Sequence, residues 1–91
     1  MKKFKLYESK KGLQELIVFQ KGKFIHEFDS MEGVHRFINE TSKSLDGFTK
    51  SDTEEWPIVS SPEKAIYFLH TRIFVNDQIQ TTGHILEIQM D

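Results

Sequence analysis

The side chains best equipped for chemistry here are four histidines, one pair of adjacent glutamates, and seven lysines crowded into the first 25 residues. A metal centre needs ligands repeated on one face of an element or paired in a recognisable motif. His26, His35, His70 and His84 form no HxH, HxxxH or HExxH pair, and no cysteine is present to complete a set. The expectation is no metal site, each imidazole serving instead as a surface or hydrogen-bonded core group. His26, between Phe24 and Phe28, is read as partly buried. Carboxylate acid–base catalysis needs two acids in unlike environments. Glu54 and Glu55 are instead adjacent in polar sequence. Lys21-Gly22-Lys23 reads as a hairpin turn rather than a phosphate loop, and no GxSxG is present. Neither a cofactor nor an enzymatic activity is expected.

Two constellations suit binding rather than catalysis. The first is Asp46, Phe48, Asp52, Glu54, Glu55 and Trp56, which sets two large rings, including the only tryptophan, among four acids. An aromatic side chain inside a charged rim is the composition of an interface hot spot. The second is Lys3, Lys5, Lys10, Lys11, Lys21 and Lys23 with Tyr7 available for stacking, a composition that suits nucleic acid. Seven lysines without an arginine lack the bidentate fork favoured for base and phosphate recognition. Lysines on strand edges also prevent edge-to-edge aggregation.

Composition bounds the rest. Ninety-one residues suit one domain, 1–91, with a small core to which eight phenylalanines bring large apolar area. The absence of cysteine excludes a disulfide scaffold. No apolar run approaches the roughly 20 residues of a membrane helix, and no apolar segment follows the basic N-terminus, so a cytoplasmic protein without membrane contact is expected. Net charge is −2, but residues 1–25 sum to +5 and residues 26–91 to −7.

The elements that must hold these groups follow from periodicity. Lys3–Tyr7, Leu13–Gln20 and Lys23–Phe28 read as an N-terminal three-stranded meander, with turns at Lys10-Lys11-Gly12 and Lys21-Gly22. Asp29, with Glu32 three residues on, reads as the cap of a helix whose apolar stripe is Met31, Val34, Phe37, Ile38 and Leu45. Residues 41–56 show neither period and read as a long acidic loop. Trp56–Val59 is extended, because a residue before proline avoids helix. Ser60-Ser61-Pro62-Glu63 reads as the start of a second helix burying Ala65, Ile66, Leu69 and Ile73, unless Ile73–Val75 opens a strand turning at Asn76-Asp77. A break at Thr81-Thr82-Gly83 precedes a last strand with Leu86, Ile88 and Met90 inward.

The sum is an α+β domain: a mainly antiparallel sheet of four or five strands packed by two helices. The leading functional expectation is a non-enzymatic protein that masks a surface of another macromolecule, as small inhibitor, immunity-type or phage counter-defence proteins do. Its acidic residues would suit a basic, nucleic-acid-handling partner. The alternative is a small nucleic-acid-binding regulator using the lysine-rich meander. An unpaired sheet edge would also permit a homodimer.

Overall fold

The protein is described from a computed structural model covering residues 2–10 and 20–90. Five strands and one helix follow in chain order: β1 (Lys3–Lys10), β2 (Gln20–Phe28), α1 (Met31–Lys43), β3 (Phe48–Ser60), β4 (Lys64–Val75) and β5 (Gln78–Gln89). The strands form one sheet in the order β2-β1-β5-β4-β3, and every pairing is antiparallel. The small α+β domain is as expected, but with one helix among the described residues rather than two. No helix among them is long and apolar enough to cross a membrane.

α1 forms where its stripe predicts. Val34 and Ile38 are buried, and Met31 and Phe37 pack beside them against Phe4, Leu6, Ala65, Leu69, Leu86 and Ile88 of the sheet. Burying such aliphatic side chains contributes about 1.5 to 3 kcal/mol each. The cap is Ser30 rather than Asp29: its Oγ accepts the Gly33 amide at 3.1 Å. Leu45 lies past the helix end and is exposed, so it is not part of the stripe.

Four expectations need correction. First, the three-stranded meander is not formed as read. β1 pairs directly with β2, Lys21-Gly22 lies inside β2 rather than at a turn, and Ser9 faces Lys21. The expected strand Leu13–Gln20 and the turn before it fall outside the described residues, apart from Lys10 and Gln20, which end β1 and begin β2. Second, residues 41–56 are not a loop. They hold the end of α1, a four-residue connection at 44–47, and the first nine residues of β3. β3 ends the strand order, and a strand with one free edge can be polar on both faces, which erases the period-2 signal. Pro57 fits there, since its missing N–H need not break a central ladder.

Third, the second helix is the strand β4. Ala65, Leu69, Thr71, Ile73 and Val75 are buried, and Phe68 is buried on the opposite face. Apolar residues on both faces of a central strand imitate helical spacing. The Ser61-Pro62-Glu63 signal is a turn: the Ser61 amide donates to the Lys64 carbonyl at 2.9 Å, and Ser61 Oγ accepts the Lys64 amide at 3.2 Å. Fourth, Thr81-Thr82-Gly83 continues β5 without a break. The Asn76-Asp77 hairpin is present, with φ of 49° and 65°, the two left-handed residues of a type I′ turn.

Candidate functional site

Residues opposite one another in antiparallel register share a face of the sheet, so the pairings show which side chains meet. On the face away from α1, one row crosses all five strands: Phe24 (β2), Tyr7 (β1), Ile85 (β5), Phe68 (β4) and Trp56 (β3). A register shift between Leu6 and Tyr7 makes this possible, because it turns Phe24 to the face opposite Phe28. Strict alternation along β2 would put Phe24 and Phe28, four residues apart, on one face, and the bulge separates them. His26, read as partly buried, is exposed and meets the Phe28 ring at 4.9 Å between centroids.

The row is packed at its centre and open at its ends. Ile85 is 1% and Phe68 7% exposed, whereas Trp56 is 37% and Phe24 49% exposed. Phe24 meets Tyr7 edge-on at 5.4 Å, and Trp56 lies 5.4 Å from Phe68. Trp56 also stacks on His70 at 5.0 Å and 16°. Gly83 leaves room for the Phe68 ring, since a Cβ there would meet Phe68 Cζ at 2.6 Å.

Charged groups border the row on both sides. On β3, Asp52 and Glu54 share Arg72, whose Nη2 lies 2.5 Å and 3.4 Å from their oxygens, and Trp56 Nε1 donates to Glu54 at 3.1 Å. Across β5, Glu87 is a buried carboxylate with Lys21 Nζ at 2.8 Å and Lys64 Nζ at 3.9 Å. The hydrogen bond to Glu87 raises the Lys21 ammonium above its usual value, against a smaller opposing effect of burial. Lys21 also lies over the Tyr7 ring, 5.0 Å from its centroid. Lys5 faces Glu87 on one side and Glu27 on the other, while Lys3 and Lys64 both flank Gln89.

The structure therefore divides the expected acidic group. Asp52, Glu54 and Trp56 share one face, whereas Glu55 points to the helix side and pairs with His35 at 2.8 Å. Asp46 lies in the connection after α1, and Phe48 pairs with buried Val75 on the helix side, because a bulge follows it. Of the lysine group, Lys3, Lys5, Tyr7 and Lys21 converge on the row's face. Lys23 lies with Glu8 and His84 beside the helix-side core. Lys10 ends β1, and Lys11 is outside the described residues.

Phe24, Lys64, Phe68, Ile85 and Glu87 belong to this surface but were not singled out from sequence. Only register could find them, since they lie on three strands. The histidines are spread over β2, α1, β4 and β5, and no three His, Asp or Glu residues gather to hold a metal among the described residues. His84 lies opposite Glu8 on the helix face. Burial pushes its imidazole below the ordinary value, with Glu8 offsetting part of the effect. Comparison with known protein families, curated proteins and solved structures finds no match to this chain.

Proposed function

We propose that this chain is a non-enzymatic binding protein that masks a surface of another protein with the sheet face opposite α1. The observation that carries this reading is the row Phe24–Tyr7–Ile85–Phe68–Trp56, packed at its centre, exposed at both ends and bordered by charge. The rings left open are Trp56 and Phe24, held in place by the packed centre and bordered by charge, and exposed aromatic side chains within a charged rim are typical of protein interfaces. Small inhibitor, immunity-type and phage counter-defence proteins are settings that need only such a body and surface.

Capture from nuclease-treated lysate of the source cell tests it. Phe24→Ala and Trp56→Ala, each verified as folded, should lose a protein partner that the native chain retains. Equal capture by both variants would remove the row from the interface.

A second reading, nucleic-acid binding, is favoured by the convergence of Lys3, Lys5, Tyr7 and Lys21 on one face. Its support is weaker because stacking needs open ring faces. Tyr7 lies under Lys21, Phe74 under Lys50, and Trp56 against His70.

A further inference from the structure

We propose that the lysine cluster beside the apolar row docks an acidic segment of the partner protein, one that alternates carboxylate and apolar side chains. This rests on the masking function proposed above and specifies the partner's chemistry.

The charge left for a partner is positive on this part of the face. Asp52 and Glu54 share the single guanidinium of Arg72 at the β3 end of the face, and Glu55 lies on the helix side, hydrogen-bonded to His35. Around Glu87, by contrast, Lys3 and Lys5 of β1, Lys21 of β2 and Lys64 of β4 face two carboxylates, Glu87 itself and Glu27 at the outer strand. Excess positive charge beside an apolar row selects a partner segment of the opposite sign.

Glu87 also organises the cluster. Being 6% exposed and in contact with Lys21 and Lys64, it holds two ammonium groups in place before any partner arrives. Restricting a lysine beforehand lowers the side-chain ordering cost that binding would otherwise incur.

The spacing sets the partner's pattern. Lys5 and Tyr7, Glu87 and Ile85, and Ile66 and Phe68 are each two residues apart along their strands. That separation is roughly 7 Å. An extended segment running along the strands would therefore set a carboxylate over the lysines and an apolar side chain against the open end of the row at Tyr7 and Phe24, two residues apart in its own sequence.

Fluorescence anisotropy provides the test, using a labelled short peptide of alternating glutamate and phenylalanine and an oligothymidylate of equal charge. The full chain should bind the peptide saturably and the oligonucleotide more weakly, with affinity falling as salt rises. The double variant Lys3→Gln/Lys5→Gln keeps the Lys21–Glu87 and Lys64–Glu87 contacts and should weaken peptide binding about tenfold. Lys43→Gln, on α1, should leave it unchanged. Absence of saturable peptide binding, or indifference to the double variant, would overturn the proposal, as would tighter binding of the oligonucleotide. The two proposals fail separately: partner capture lost in Phe24→Ala and Trp56→Ala without peptide binding would sink the acidic-segment claim and keep the masking function. Capture unaffected by those row variants would sink the masking function itself.

Discussion

Gly83→Ala tests whether the Phe68 ring lies over β5 as the row requires. The added Cβ would lie 2.6 Å from Phe68 Cζ and 2.7 Å from Cε1. Optimal carbon–carbon separation is roughly 3.5 to 4.0 Å, so the methyl would intrude by about 1 Å. Phe68 is nearly buried between Trp56 and Ile85 and has little freedom to swing away. Overpacking of this kind costs about 1 to 3 kcal/mol. Alanine in place of glycine at an extended position returns about 0.4 to 1 kcal/mol through the unfolded chain. The net expectation is a loss of about 1 to 2 kcal/mol, read as a lower urea midpoint. In a Phe68→Val background the collision is gone, and Gly83→Ala should be neutral or stabilising. The gain through the unfolded chain is common to both backgrounds, so the double-mutant cycle should show coupling equal to the collision itself, about 1 to 3 kcal/mol. A neutral or stabilising Gly83→Ala in the native background, or no coupling, would refute the contact and with it the packed centre of the row.

His84 is held below its ordinary value of 6.5 mainly by burial, so the folded chain stays neutral where the unfolded chain takes up a proton. Its contribution is complete above pH 6.5 and declines as pH falls below that value. Thermal midpoints at about pH 7.5 and about pH 5 should differ less in His84→Gln than in the native protein. Asp77→Gly should stabilise the β4–β5 hairpin by about 0.5 to 1 kcal/mol, because φ of 65° at the second turn position favours glycine. Urea denaturation would show no gain if that turn were not left-handed. Phe48→Ala, on the helix side, should lower stability by about 1 to 3 kcal/mol while leaving partner capture intact once the protein is verified as folded.

What could be read from sequence followed how each element is buried. α1 was legible because one face meets the sheet and the other meets water, so Met31, Val34, Phe37 and Ile38 keep a clear period. β1 alternates for the same reason, and the Asn76-Asp77 turn was visible as the alternative reading of its segment. β4 was hidden because Leu69 and Phe68 are buried on opposite faces, leaving no alternation to detect. β3 was hidden for the opposite reason, being polar on both faces beside a free edge. The candidate surface was legible only in fragments. Trp56, Tyr7, Lys3, Lys5 and Lys21 stood out by type, but their meeting depends on strand order and on the bulge that turns Phe24 over. Neither is carried by local periodicity.

In the proposed masking function, the row on the face opposite α1 makes the contact. The most direct measurement compares capture from nuclease-treated lysate by the native chain, Phe24→Ala, Trp56→Ala and Phe48→Ala, each verified as folded by circular dichroism. One protein partner should be retained by the native chain and Phe48→Ala and lost by Phe24→Ala and Trp56→Ala. Equal retention by all four, or loss in Phe48→Ala alone, would contradict it.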